Sequence, residues 1–275
     1  MDIRLVSLDL DGTLLPQSQV ISERARSAIR QAQAQGVEIV CNTGRALSEM
    51  DYIFEQLPPM RYVCCCTGAF VADLTEDRVI SHTPLTADEG RAVYAVLREY
   101  PCVINFFAGG TVHNDRAVME QYLPLYPAAL QTVFLRTHVV EDDLDAFVAA
   151  YDGVVDKFYV SFTDEAARSE AFRQVAAMGY YVTDAGFVDF EIMRRGVDKA
   201  TALAALAAHL GLTRAQVCAM GDSGNDVPML RYAGLPVAMA NAAPAVQAAA
   251  RVIAPDNEHD GVADTLERIL RGELA

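Results

Sequence analysis

Lysine is almost missing from this chain: of 22 basic residues only Lys157 and Lys199 are lysines, all others being arginine. Where arginine otherwise serves, a lysine marks a place that calls for a compact ammonium on a flexible stem. Long apolar runs are missing too. None approaches the roughly eighteen residues of a membrane span, and Met1-Asp2-Ile3-Arg4 leads straight into a strand instead of a signal sequence. A soluble, cytoplasmic protein with no membrane partner is expected. The six cysteines include no Cys-x-x-Cys pair and mostly lie in apolar runs, which predicts reduced, buried thiols. There is no basic tract. A net charge of −15 offers no footprint for a phosphate backbone and so excludes nucleic acid as a partner. Internal repeats, low-complexity segments and flexible linkers are absent as well.

What the chain does have is length and apolar content, 275 residues of which 52% are hydrophobic, enough to fill two domains. Its most informative stretch is Leu8-Asp9-Leu10-Asp11-Gly12-Thr13, at the close of the apolar run Ile3 to Leu8. Ile3, Leu5, Val6 and Leu8 read as a strand buried on both faces, and Gly12-Thr13 is where it must stop and turn. Two carboxylates therefore stand at a strand's carboxyl end, the edge where ligands bind in an open parallel sheet. Aspartates two apart on a strand point to opposite faces, but a turn beginning at Asp11 swings the second towards the first. Crowded in this way, the pair calls for a divalent cation. Mg²⁺ takes hard oxygen ligands and is commonly held by one or two carboxylates plus phosphate. One such ion and a few local cations reverse the field at a single pocket while the remaining surface stays acidic, so a small phosphate is compatible with the net charge.

Taken in order, the chain alternates. Ser22 caps a helix to about Gln35, ended by Gly36; Val37 to Cys41 is a second strand, closed by Asn42-Thr43-Gly44-Arg45. Helix is expected from there to about Leu57, where Pro58-Pro59 breaks it, and Tyr62 to Cys66 is a third strand ending in Thr67-Gly68-Ala69. This rhythm predicts an α/β fold with a Rossmann-like, doubly wound parallel sheet as its core. Phe70 to Ala72 and Arg78 to Ser81 form a hairpin. From Thr83 to Phe190 the pattern changes to helices (Thr86 to Glu99, Asp142 to Ala150, Asp164 to Met178), the strand Val154 to Phe162 and two hairpins. One turns at Gly109-Gly110 and the other at Asp184-Ala185-Gly186. An inserted α+β domain is expected there, with 16 acidic against seven basic residues. The alternation then returns, with Lys199 opening a helix and Val217 to Met220 a strand followed by Gly221-Asp222-Ser223-Gly224-Asn225-Asp226. The expected division is core over 1–82, insert over 83–190 and core again over 191–275.

Gathered together, the polar groups at the strand and helix ends resemble the motifs of the haloacid dehalogenase superfamily of phosphohydrolases. The resemblance is to its Cof-like branch, in which a C2-type cap is inserted between the second and third motifs. The four matching groups are Asp9-Leu10-Asp11-Gly12-Thr13, Thr43-Gly44-Arg45, Gly196-Val197-Asp198-Lys199 and Gly221-Asp222-Ser223-Gly224-Asn225-Asp226, and the closing Asp260-Gly261-Val262-Ala263 fits as well. The resemblance implies a Mg²⁺-dependent phosphatase of small phosphomonoesters. Asp9 would attack phosphorus to form an aspartyl-phosphate, and Asp11 would protonate the leaving oxygen and then activate water. Thr43, Gly44, Arg45, Lys199 and Asn225 would contact the phosphoryl group or substrate. Asp9, Asp222 and the carbonyl of Asp11 would hold Mg²⁺, with Asp226 acting from behind. One departure is visible: the family usually has Asn-Gly-Ala after the third strand, where this chain has Thr67-Gly68-Ala69.

The cap would read the leaving group, with Asn105, His113, Asn114 and Tyr181 as candidates, and compact polar esters such as sugar phosphates or a phosphorylated cofactor are the expected substrates. The same aspartyl-phosphate would also serve a phosphomutase or phosphotransferase. A non-catalytic phosphate-ligand sensor is the alternative of a different class, although a large insert and a retained Asp11 speak against it. A monomer or weak homo-oligomer is expected.

Overall fold

The computed structural model describes residues 2–125, 128–185 and 188–274. In chain order its strands are β1 (Leu5–Leu8), β2 (Glu38–Asn42), β3 (Tyr62–Cys65), β4 (Phe70–Asp73), β5 (Arg78–His82), β6 (Cys102–Ala108) and β7 (Thr111–Asp115). They continue with β8 (His138–Glu141), β9 (Val155–Phe162), β10 (Tyr181–Asp184), β11 (Asp189–Met193), β12 (Val217–Gly221), β13 (Leu235–Met239) and β14 (Val252–Ala254). The chain folds into two compact units. One comprises Met1–Gly44, Tyr52–His82 and Asp198–Ala275; the other comprises Arg45–Asp51 and Thr83–Val197.

The first unit is built on one sheet in the order β14-β13-β12-β1-β2-β3-β4-β5. From β14 to β3 neighbours run parallel, and β4 and β5 add an antiparallel hairpin at one side. β1 sits in the middle because it is apolar on both faces: Leu5, Val6 and Leu8 are wholly buried, and so is its one polar residue, Ser7, whose hydroxyl lies against Met229 Sδ. The chain leaves β1 in one direction towards β2 and β3 and returns on its other side as β12, so the sheet changes winding direction beside β1. That is where an open α/β sheet leaves a crevice at its strand ends.

Helices flank this sheet. Ser22 caps the helix Glu23–Ala34 by accepting the Ala25 N–H, and the helix Gly261–Leu270 packs beside it. The helix Lys199–His209 lays Ala202, Leu203, Leu206 and Ala207 against Leu5, Val40, Tyr62 and Val217 of the sheet. Burying each leucine there contributes roughly 1.5–3 kcal/mol. Asp198 caps this helix through the Thr201 N–H, which fixes where its first residue, Lys199, begins.

The second unit carries a sheet in the order β10-β11-β9-β6-β7-β8. All its pairings are antiparallel except that of β7 with β8. Its core gathers Phe106, Phe158, Val160, Phe190 and Ile192 from the strands with Val93, Leu97, Val148, Ala171 and Val175 from helices. The sequence reading has no counterpart for the helices Arg116–Tyr122 and Ala128–Thr137 or for β8. A parallel β7–β8 pair needs a crossover connection, and those helices supply it. Part of the Asp184-Ala185-Gly186 turn lies outside the described residues.

One expectation is corrected. Instead of a helix from Arg45 to about Leu57, there is a 3₁₀ turn at Leu47–Glu49 and a single short helix, Asp51–Phe54. The chain changes unit twice here, at Gly44/Arg45 and Asp51/Tyr52, and a continuous helix cannot serve both cores. No helix among the described residues is long and apolar enough to cross a membrane. All six cysteines are buried and free of disulfides.

Candidate active site

Register decides what meets at the sheet edge. Leu8 pairs with Cys41 of β2 and with Met220 of β12, so Asp9 is level with Asn42 on one side and Gly221 on the other. Asp11, Thr43 and Asp222 follow just beyond. Asp9 stays tied to the sheet, its N–H donating to the Met220 carbonyl at 3.0 Å. The chain then reverses: Thr13 and Leu15 N–H both return to the Leu10 carbonyl. Gly12 makes this turn with φ +86°, and a Cβ there would collide with the Asp222 carboxylate. Thr13 Oγ1 donates to Asp222 Oδ1 at 2.6 Å, so the first and last motifs are fastened side chain to side chain.

Lys199 is the hub. Its Nζ donates to Asp9 Oδ1 and to Asp226 Oδ1, each at 2.6 Å, and its side chain is about 1% exposed. Burial opposes the charge on this ammonium, but Asp226 and Asp9 outweigh it and raise its pKa above the ordinary lysine value. Asp226 is wholly committed: beyond Lys199, its Oδ2 accepts the N–H groups of Asp222 and Ser223 at 2.9 and 3.0 Å. Gly221 is needed for that approach, since a Cβ there would overlap the Asp226 side chain. Asn225 is buried beside it and accepts the Ser223 hydroxyl at 2.7 Å.

Two carboxyls carry the strain of this crowding. Burial, the repulsion of Asp226 and that of Asp222 raise Asp9 well above the usual carboxylate range, against the pull of Lys199. Burial pushes Asp222 up to about 6 despite the Thr13 hydroxyl. Asp9, Asp222 and Asp226 each bring a carboxylate oxygen within 4.8 Å of the others, a hard-oxygen cluster that could hold a metal ion. The donor chemistry and the uncompensated negative charge both fit a divalent cation. Asp226 is already held by Lys199 and two backbone N–H groups, which leaves Asp9 and Asp222 better placed to supply ligand oxygens.

Asp9, Lys199, Asp222 and Asp226 are thus in direct contact or hydrogen-bonded in a chain. Thr43, buried, lies at the neighbouring strand end with Gly44, its N–H donating to the Cys64 carbonyl and its own carbonyl accepting the Thr67 N–H. Asp11 is exposed at the turn. Arg45 belongs to the second unit, where it lies near enough to Glu49 to help hold that carboxyl down.

The insert candidates form internal networks within the second unit. Asn105 donates to the Tyr159 carbonyl, and Asn114 donates to Asn105 Oδ1 and the Ile104 carbonyl. His113 pairs with Glu141 at 2.7 Å, and Tyr181 stands opposite Met193 in the sheet. His138, which the sequence reading missed, has Nδ1 2.7 Å from Asn114 Oδ1 and Nε2 3.3 Å from Glu49 Oε1. Asn42 and Asn241 were missed also. Asn241 Nδ2 holds the Gly12 carbonyl at 2.9 Å, a contact 229 residues away in sequence that no local pattern announces.

The family model for haloacid dehalogenase-like hydrolases matches residues 6–266. The 5-amino-6-(5-phospho-D-ribitylamino)uracil phosphatase YcsE of Bacillus subtilis is 29% identical, over 97% of this chain and 95% of its own length. Phosphatase YwpJ of the same organism is 28% identical over 98% of this chain and all of its own. Among solved structures, a haloacid dehalogenase-like hydrolase from B. subtilis superposes with a TM-score of 0.86 at 24% identity, covering 97% of this chain and 100% of that one. Another, from Bacteroides thetaiotaomicron, gives 0.81 at 26% identity, covering 97% and 99%.

Proposed function

The chain belongs to the haloacid dehalogenase-like hydrolases, and from that premise, as a phosphatase of small phosphate substrates, we propose that it hydrolyses a compact phosphomonoester through an aspartyl-phosphate on Asp9. The observation that carries this reading is the Lys199 ammonium held at 2.6 Å from both Asp9 and Asp226 at the carboxyl edge of a parallel sheet. Asp9 Oδ attacks phosphorus and displaces the alcohol. Asp11, exposed at the turn, gives that leaving oxygen a proton and then takes one from water, which cleaves the aspartyl-phosphate and returns Asp9. Thr43 offers a hydroxyl to a phosphoryl oxygen, and Gly44 lets the backbone approach. Lys199 offsets the negative charge that reaches the equatorial oxygens.

Asp9, Asp222 and the Asp11 carbonyl would hold Mg²⁺, which when bound supplies charge neutralisation and a fixed template for phosphate oxygens. Asp226 keeps Lys199 and the Asp222 backbone in place, and Asn225, whose Oδ1 accepts the Ser223 hydroxyl, contacts the phosphoryl group. We propose that the second unit serves as the specificity cap, with Arg45 as its candidate substrate contact. Sugar phosphates or a phosphorylated cofactor suit it. The named substrate of the relatives YcsE and YbjI, 5-amino-6-(5-phospho-D-ribitylamino)uracil, is of that compact, polyhydroxylated kind. We place the enzyme in the cytoplasm, working on free metabolites as a monomer or weak homo-oligomer.

The test is a panel of phosphorylated metabolites assayed for inorganic phosphate release with Mg²⁺ and with chelator, for wild type and Asp9→Asn. Mg²⁺-dependent release that Asp9→Asn abolishes is expected. Release that survives Asp9→Asn in contaminant-free protein removes the nucleophile, and isomerised ester without free phosphate makes the enzyme a mutase.

A further inference from the structure

Asn42 ends β2, is wholly buried, and has no part in the chemistry above. Its Nδ2 donates to the backbone carbonyl of Lys199 at 3.0 Å and lies 3.6 Å from Met229 Sδ. Its Oδ1 is buried with no hydrogen-bond partner among the described residues. The amide cannot be turned over to cure this, because Oδ1 would then face the Lys199 carbonyl oxygen. An unsatisfied buried acceptor costs free energy that an aliphatic side chain of similar volume would not. Packing therefore gives no reason for an amide here. Its donor end does, since it grips the residue whose side chain joins Asp9 to Asp226.

A second contact holds the same helix start from another strand end. Cys66, Thr67 and Gly68 follow β3 with φ of 53°, 52° and 101°, and Gly68 approaches Asp198 so closely that a Cβ would overlap the Asp198 carbonyl. The backbone at 198–199 is thus braced by β2 through Asn42 and by the turn after β3 through Gly68.

We propose that Asn42 is a positioning residue: its amide ties the end of β2, and with it Thr43, to the first residue of the helix that carries Lys199, fixing Nζ between Asp9 and Asp226. The kinetic consequence rests on the phosphatase reading; the geometric one does not. Two readouts keep them apart. Lys157 and Lys199 are the only lysines, so protein labelled with ¹⁵N at lysine Nζ gives two ammonium resonances, and loss of one in Lys199→Arg assigns both. Asn42→Leu and Asn42→Ala should each displace or broaden the Lys199 resonance and leave that of Lys157 in place. Turnover of the best ester should fall roughly tenfold in kcat with KM little changed, as for a group misplaced by a fraction of an ångström. Asn42→Leu should unfold at the wild-type temperature or above it. A Lys199 resonance unmoved in both variants, or a lowered unfolding temperature with unchanged kcat, makes Asn42 a packing residue and overturns the proposal. Should the wild type release phosphate from no ester, the phosphatase reading falls, and the Lys199 resonance alone decides the role of Asn42.

Discussion

Thr67 donates its backbone N–H to the Thr43 carbonyl at 3.0 Å from a left-handed conformation, φ 52° and ψ 35°. A β-branched residue is poorly suited to that region, at a cost of roughly 1–2 kcal/mol, whereas asparagine visits it readily. The usual asparagine of the family at this place has a backbone reason apart from any contact with substrate. Thr67→Asn should therefore stabilise the protein by about 1 kcal/mol. Thermal unfolding of the variant checks this, and an unchanged or lowered midpoint would show that burial of the threonine side chain outweighs its strain.

On the proposed mechanism, Asp11→Asn keeps the backbone carbonyl at the turn and the Asp9 nucleophile just past β1 but removes the proton carrier. Esters with poor leaving groups should lose on the order of 10²–10⁴-fold in the phosphorylation step, and para-nitrophenyl phosphate far less. Single-turnover rates over leaving groups of widely different pKa measure this. A uniform loss contradicts the acid role.

Glu49 connects stability to pH. Burial disfavours its charge, but the His138 hydrogen bond and the charges of His138 and Arg45 prevail and hold its carboxyl below the ordinary 4.5. A carboxyl depressed on folding adds stability that is complete above its unfolded pKa and is lost as pH falls through the folded value. Wild-type stability should thus decline below about pH 4.5, and Glu49→Gln should remove part of that decline while costing on the order of 2 kcal/mol near neutrality. Denaturant titrations from pH 3 to 7 compare the two slopes; parallel curves would clear Glu49 of the effect.

Lys157 and Glu191 form a buried pair at 2.5 Å within the second sheet, the ammonium 4.6 Å from the centre of the Phe107 ring. Removing one charge takes from the other its 2.5 Å ion-pair partner in a buried setting. Lys157→Met should cost roughly 3–5 kcal/mol, and the double variant Lys157→Met/Glu191→Leu should recover most of it. A double variant as unstable as the single one would mean that the pair contributes more than its mutual neutralisation.

The sequence made one kind of information plain and hid another. Asp9 and Asp11, and Asp222 and Asp226, are legible because each pair stands in a glycine-containing turn that closes a short apolar run, and both signals are local. Lys199 is legible because Asp198 is a helix cap and lysine is so rare here. The segment Arg45–Asp51 is not, because its packing partners are β7 and the chain around Thr137 and His138, some 60 to 90 residues away. Nor is β8 readable: four residues pairing parallel with β7 leave no alternation to detect. Asn42 stands in plain sight beside Thr43, yet its role depends on a carbonyl 157 residues on.

The burial of both lysines bears on bench chemistry. Reagents that acylate primary amines, including the activated esters used for dye labelling, surface immobilisation and cross-linking, find no side-chain target on the folded protein, since Lys157 and Lys199 are each about 1% exposed. Unfolding of the first unit releases Lys199 and that of the second releases Lys157. Amine tagging followed by intact-mass measurement should accordingly report unfolding directly, one mass increment for each released lysine beyond that of the α-amine.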